Sequence, residues 1–330
     1  IGTYSTLLIE HLSRLDQENT YLVLVRPGLR QKLALGDNFQ LLSWPAQPVS
    51  LSTLGLLGRH VDSLGVDVMH SLFPLAPLRM RTRLMVTVHD LQPFIDPDFS
   101  ARRSMLVKWG YGAFYRMAYP ATMRRAKWIM ADSFHTRDTV AELFPEFIPK
   151  LVVVAPGLNR AFLLGQPPEE GEIRLRHGLL RPYFLYYGST RPNKNLPMMV
   201  RAFGRFCEAH PEQDHELVLI LKRDRFFPDV EAVLRNSGWR ARVKVIDQVT
   251  PEDQRGILAG ARGFLFATRY EGFGFPALEA MAMGVPVIAG DSGALPEICG
   301  DAAEIVAPVS YTHLRAHETK ANLVCRLLLE

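Results

Sequence analysis

Residues 269–284 read RYEGFGFPALEAMAMG. They lie between two short apolar runs, 263–267 and 286–289, so the stretch scans as strand, loop, helix, strand. Pro276 suits the first turn of the helix, where its missing N–H would be unsatisfied anyway, and Gly284 suits the residue just past its end. Ala280 and Ala282 are small enough for close packing on a sheet. The spacing predicts a helix over 276–283, and apolar strands bounded by helices imply a parallel sheet covered on both faces.

Moving outward, the same alternation recurs. Strands are predicted at 183–187, 217–221 and 243–246, with helices at 198–208, 229–236 and 251–259. A Pro/Gly-richer, acidic stretch at 165–171 interrupts the pattern. Before it, strands are predicted at 21–25, 40–42, 67–70, 84–89, 128–131 and 151–155, and helices at 3–14, 51–64 and 135–143. With 330 residues, more than one core usually serves, this predicts an α/β protein of two Rossmann-like, doubly wound domains, 1–165 and 166–308. Ligands of such sheets bind beyond the carboxyl ends of the strands, and a cleft between the domains would combine both sets of ends. The chain enters a helix at once, so the first domain is expected to lack its opening strand. Residues 309–330, VSYTHLRAHETKANLVCRLLLE, change character and resemble a translated adapter or vector tail, a non-native addition. His313 and His317 in it are spaced i, i+4 but lack an acidic third ligand, so no metal site is expected.

Composition narrows the classes. Hydrophobic residues make up 48% and charged residues 22%, which excludes intrinsic disorder. Cys207, Cys299 and Cys325 share no C-x-x-C spacing, which argues against a zinc ribbon or thiol redox site and fits a reduced, cytoplasmic compartment. A formal charge of +4 is too modest to argue for nucleic acid, and no apolar run reaches the ~18–20 residues that span a bilayer. Residues 101–127 nevertheless hold seven Lys and Arg, no Asp or Glu, and interleaved aromatics. Two readings stand: a solvated basic helix face, or a surface for anionic lipid or a phosphate-bearing acceptor at the inner membrane face.

The chemistry-bearing positions cluster around the opening segment. Gly272 and Gly274 let the loop bring backbone N–H groups close to a ligand, and the helix N-terminus behind them is a natural seat for phosphate. Glu271 in the loop and Glu279 one turn inside the helix can border that seat, where a carboxylate accepts paired sugar hydroxyls. Alternatively both only favour the helix N-terminus electrostatically. Lys194 follows a strand and a Gly188-Ser189 turn, and alone reads as a solvated helix-start lysine. His89 ends an apolar strand, where a lone histidine is either structural or catalytic. Ser133 fits a helix cap as well as a site.

Four segments in order carry a resemblance: VTVHDLQP at 86–93, VVVAPGLNRAF at 152–162, LYYGSTRPNKNL at 185–196, and Glu271-x7-Glu279 within EGFGFPALEAMAMGVPVIAGDSGALPEICGDAA. The chain resembles the retaining GT-B glycosyltransferases of family 4 (glycosyl transferases group 1) from residue 1 to about 308, most like bacterial mannosyltransferases of surface-polysaccharide assembly. The resemblance implies hexose transfer from a nucleoside-diphosphate sugar, GDP-mannose favoured, to a hydroxyl of a saccharide or lipid-linked saccharide, with no metal or other cofactor. It implies that Glu271 binds donor-sugar hydroxyls, Glu279 the ribose, and Gly272, Phe273, Gly274 and Phe275 the sugar and diphosphate. Lys194 would neutralise the departing diphosphate, and His89 would bond a sugar hydroxyl or phosphate. Relatives often carry arginine where Asn193 stands, so Arg191 is the candidate second cation. Lys222 and Asp247-Gln248 stand where relatives often have glycine, which leaves the nucleobase open. Two alternatives stay on the table: an inactive nucleotide-sugar-binding fragment, or another two-domain sugar enzyme such as an epimerase or phosphorylase.

Overall fold

The computed structural model describes residues 2–26, 35–45, 50–96, 105–163, 170–235, 238–247 and 249–307. Residues 309–330, read above as a foreign tail, lie outside them, as do Arg102, Arg103 and Gln248. The chain divides into two compact units, Ile1–Gly157 and Leu158–Glu330.

The first unit runs α1 (Gly2–Leu15), β1 (Tyr21–Val25), β2 (Phe39–Ser43), α2 (Leu51–Gly55), α3 (Leu57–Ser63), β3 (Val68–Ser71), β4 (Arg83–Val88), α4 (Gln92–Ile95), α5 (Met105–Arg125), β5 (Trp128–Ala131), α6 (Phe134–Leu143) and β6 (Leu151–Val153). All its ladders are parallel, but they form two sheets, β1-β2 and β3-β4-β5-β6, where the sequence predicts one. The apolar run of β1, YLVLV, is only half-buried along its length, because its described ladder lies on one side alone. In β4, which has neighbours on both sides, Leu84, Val86 and Val88 are fully covered. Leu84, Val86, Ile129, Val140, Met123 and Tyr119 knit the four-stranded sheet to α5 and α6 in one core. The helix predicted over 51–64 is broken at Leu56 into two pieces, letting Gly58 lie against Arg79, whose carbonyl oxygen a Cβ would approach to 2.0 Å. Ser133 caps α6, its hydroxyl accepting from the Thr136 N–H at 3.0 Å, so the capping role is the one this structure displays.

The second unit runs α7 (Arg160–Leu163), α8 (Glu170–Arg176), β7 (Tyr183–Gly188), α9 (Leu196–Ala209), β8 (Glu216–Leu221), α10 (Phe227–Arg235), β9 (Val243–Ile246), α11 (Pro251–Ala259), β10 (Gly263–Phe266), α12 (Phe275–Ala282), β11 (Val287–Gly290), α13 (Leu295–Cys299) and β12 (Glu304–Val306). Its strands form one parallel sheet in the order β12-β11-β10-β7-β8-β9. The central β7 and β8, YFLYYG and ELVLIL, are buried at every position except Gly188, and each covered Leu or Val is worth about 1.5–3 kcal/mol. Helix α9 buries Leu196, Met199, Val200, Phe203, Gly204 and Cys207, a stripe at 3.6-residue spacing. Gly204 is required there, since a Cβ would sit 2.2 Å from the Trp239 ring. The chain starts in mid-sheet at β7, moves out through β8 and β9, then returns to β10 on the other flank of β7. That reversal puts a crevice at the carboxyl ends of β7 and β10, where such sheets bind ligands.

Candidate functional site

Two loops leave the sheet at that reversal. After β7 the chain passes through a 3-10 turn, Pro192–Lys194; after β10 it runs through 267–274 into α12. The loops are stitched together: the Arg269 N–H donates to the Asn193 carbonyl at 2.7 Å, the Asn193 amide to the Tyr270 carbonyl at 3.1 Å, and the Asn195 amide to the Ala267 carbonyl at 3.1 Å. Asn195 takes the left-handed conformation (φ 58°), which Asn tolerates better than most residues. The turn thereby delivers the Lys194 ammonium onto the Glu271 carboxylate, and the two form an ion pair with side chains only 17% and 13% exposed. A third loop, after β11, closes against them. The Ala294 N–H donates to the Glu271 carbonyl at 2.9 Å, and Gly293 sits so close that a Cβ would lie 2.2 Å from that same oxygen.

Helix α12 begins at this loop. Its N-cap, Gly274, has φ 111° and no side chain to cap the first turn; Pro276 lacks an N–H and the Ala277 and Leu278 N–H groups turn back to the Gly274 carbonyl at 3.1 and 3.3 Å, so the helix start offers a ligand the Phe275 N–H and the positive end of its dipole. Phe273 is buried against Phe275, their rings 5.0 Å apart, while Gly272 and Phe275 are half-buried. Glu279 is buried, 8% exposed, and one carboxylate oxygen accepts a 2.5 Å hydrogen bond from the Tyr187 hydroxyl on β7. Burial pushes its carboxyl up to about 7, and the Tyr187 bond opposes that rise. Burial, with the Glu279 charge, pushes the Tyr187 phenol well up, so it stays a donor. Tyr186 donates to the Ser189 carbonyl at 2.8 Å and steadies the start of the turn. Beside Tyr187 lies an open depression of about 390 Å³, walled by Ile220, Leu221 and Val249 and edged by Lys222, Asp247 and Gln254.

The structure thus gathers Lys194, Glu271, Glu279 and the 272–275 loop at one crevice of the second unit. Arg191 opens the same turn and is exposed. His89 belongs to the first unit, just past β4, and both its ring nitrogens face acceptors: Nδ1 lies 2.6 Å from Asp132 Oδ2 and Nε2 2.9 Å from the Leu72 carbonyl. It is 9% exposed, with Tyr4 edge-on at 4.8 Å. Its internal bonds therefore join the β3, β4 and β5 strand ends. Sequence reasoning missed Tyr187, Asn193, Asn195, Gly293 and Asp132. Gly293 alone had a local signal, a glycine just ahead of the Leu-Pro that opens α13.

A crevice of this kind can hold a diphosphate against Lys194 and the α12 N-terminus, with carboxylates on either side for hydroxyls. Comparison with known proteins agrees in kind. Residues 1–162 match the family described as Glycosyltransferase Family 4, and residues 181–319 the family described as Glycosyl transferases group 1. The O-antigen chain mannosyltransferase B of Escherichia coli is 27% identical over 240 residues, 71% of this chain and 60% of that enzyme. The Salmonella typhimurium O-antigen chain mannosyltransferase RfbU is 22% identical over 288 residues, 87% of this chain and 73% of that enzyme. Among solved structures, the Anabaena protein HepE, in complex with UDP and glucose, superposes with a TM-score of 0.69 at 15% identity, covering 99% of this chain and 89% of that one. That likeness shows the GT-B fold. With the two family matches covering both halves in order, this chain belongs to the family 4, group 1 glycosyltransferases.

Proposed function

We propose that this chain, which spans about 60% of the length of the Escherichia coli relative it matches, belongs to a retaining hexosyltransferase that moves mannose from GDP-mannose to a saccharide or lipid-linked saccharide hydroxyl. The observation that carries this reading is the Lys194–Glu271 pair at the mouth of the β7/β10 crevice, beside the uncapped N-terminus of α12. Glycosyl transfer builds negative charge on the leaving diphosphate, and a fixed cation plus aligned backbone N–H groups stabilise that charge. When the diphosphate takes Lys194, Glu271 is released toward the sugar hydroxyls, while Glu279 accepts from the ribose. The nucleoside lies in the depression beside Tyr187. The acceptor attacks on the face from which the diphosphate leaves, with a phosphate oxygen taking its proton. The first unit is the candidate for the acceptor side.

Mannose as the sugar rests on the two O-antigen mannosyltransferase relatives. Among the described residues no helix is long and apolar enough to cross a membrane. On the basic segment, Arg116, Met117, Arg124 and Lys127 are exposed, and Lys127 covers the Trp128 ring at 4.5 Å; we propose that this face touches anionic lipid at the cytoplasmic surface. Incubation with GDP-mannose and an oligosaccharide acceptor, followed by GDP release, tests the activity. Glu271→Ala and Lys194→Ala are each expected to lower release by about 10²–10³. Nucleotide binding without release, in the unaltered chain, would reduce it to a binding fragment.

A further inference from the structure

Two hydroxyl-bearing and amide side chains near the crevice are not accounted for by holding donor. Tyr187 comes from β7, in a run of tyrosines, YFLYYG, that reads as nothing more than a buried strand. Its ring packs on Phe264 at 4.8 Å, and its hydroxyl reaches across to α12, donating to Glu279 Oε2 at 2.5 Å. Gln254, on α11, also hydrogen-bonds this hydroxyl, and both residues line the depression beside it. A buried glutamate on a helix has three rotatable bonds, and burial favours its neutral form, which turns one of its two oxygens into a donor and weakens it as an acceptor for a diol. A phenol that accepts from an amide and donates to one carboxylate oxygen restrains the rotamer and opposes the rise that burial causes, leaving the second oxygen for a ligand.

We propose that Tyr187, held by Gln254, is the positioning residue that fixes the Glu279 carboxylate as a hydrogen-bond acceptor for a vicinal diol, and so sets discrimination between ribonucleotides and their deoxy counterparts. This rests on the reading of Glu279 as the ribose ligand given above. Tyr187 itself touches no reacting atom.

The test is calorimetric binding of GDP and of 2′,3′-dideoxy-GDP to the whole chain and to two variants, Tyr187→Phe and Glu279→Gln. Phenylalanine keeps the packing on Phe264, and thermal unfolding verifies that the variant is folded. The unaltered chain is expected to favour GDP, Glu279→Gln to lose most of that preference, and Tyr187→Phe to lose about tenfold of it while binding the dideoxy nucleotide as before. Gln254→Ala should shift the preference in the same direction by less. If Glu279→Gln loses the preference and Tyr187→Phe keeps it, the inference is wrong and the ribose reading survives. An equal loss for both nucleotides in Tyr187→Phe also overturns the inference, since the tyrosine would then only shape the depression. If the unaltered chain binds both nucleotides equally, the ribose reading itself fails.

Discussion

The two units are built from the same alternation of parallel strands and helices, yet they use the carboxyl ends of their strands in opposite ways. In the first, most of the polar groups there bond to one another: His89 bridges Asp132 and Leu72, His70 meets the Thr87 hydroxyl at 2.8 Å, and the Tyr4 hydroxyl lies 3.4 Å from the same oxygen, while Asp132 Oδ1 is buried without a partner. In the second, the corresponding groups are drawn toward a crevice, where Lys194 and Glu271 neutralise each other and Glu279 sits beside an open depression. A histidine whose two nitrogens are both satisfied contributes to holding strands together. A lysine and glutamate paired at the edge of a crevice can exchange that contact for an incoming anion and its hydroxyls. The difference between the two sets lies in the partners that each side chain would exchange for a substrate.

The largest effects should separate the two kinds of group. Glu271→Ala is expected to lower GDP release by about 10²–10³ while costing less stability than His89→Ala, since Lys194 is more exposed than Asp132. His89→Ala should instead leave Asp132 buried without its partner and cost the first unit about 3–5 kcal/mol of stability. If His89→Ala keeps its stability and loses activity as Glu271→Ala does, the contrast between the units breaks.

A smaller effect comes from acid. Burial first, and then the neighbouring His89, hold His70 down to about 4, below its usual 6.5. The folded first unit therefore binds fewer protons than the unfolded chain in that window, and its stability falls as pH drops from 6.5 toward 4. Glu279 is shifted the other way, from 4.5 to about 7, so the folded second unit binds more protons and loses stability as pH rises from 4.5 toward 7. Taking the chain from pH 7 to 5 should thus loosen the first unit and tighten the second, by about 2 kcal/mol each. Hydrogen exchange read separately over 84–88 and 217–221 checks this, and a common response in both units would contradict it. Since the ionised Glu279 is the stronger acceptor for a diol, GDP affinity should also fall between pH 8 and 6, by up to about tenfold. The smallest effect concerns the surface of the first unit. Binding to phosphatidylglycerol vesicles should weaken as salt rises if the Arg116–Lys127 face docks on lipid, whereas salt-insensitive binding would remove that role.

Much of this difference could be read from the chain. Tyr21–Val25, Trp128–Ala131 and Val243–Ile246 form strands with the bounds that apolar runs predict, and α12 begins one residue before the predicted helix. Loop glycines and the two glutamates drew attention to the crevice because glycine, proline and carboxylate at short spacing constrain local backbone and charge. The Tyr187–Glu279 bond spans 92 residues, and nothing in YFLYYG says which hydroxyl finds a polar partner. Asp132 was likewise invisible as the partner of His89, 43 residues away, because strand register decides that pairing. The separation of β1-β2 from β3-β6 was illegible for the same reason, since periodicity identifies strands and not their neighbours.

The central claim is that the β7/β10 crevice holds the diphosphate of a nucleotide sugar. Its most direct test is a crystal structure of the chain soaked with GDP. The account expects phosphate oxygens within hydrogen-bonding distance of Lys194 and the 272–275 backbone, with the Lys194–Glu271 pair opened. GDP lodged away from these residues, or bound with that ion pair intact, would contradict it.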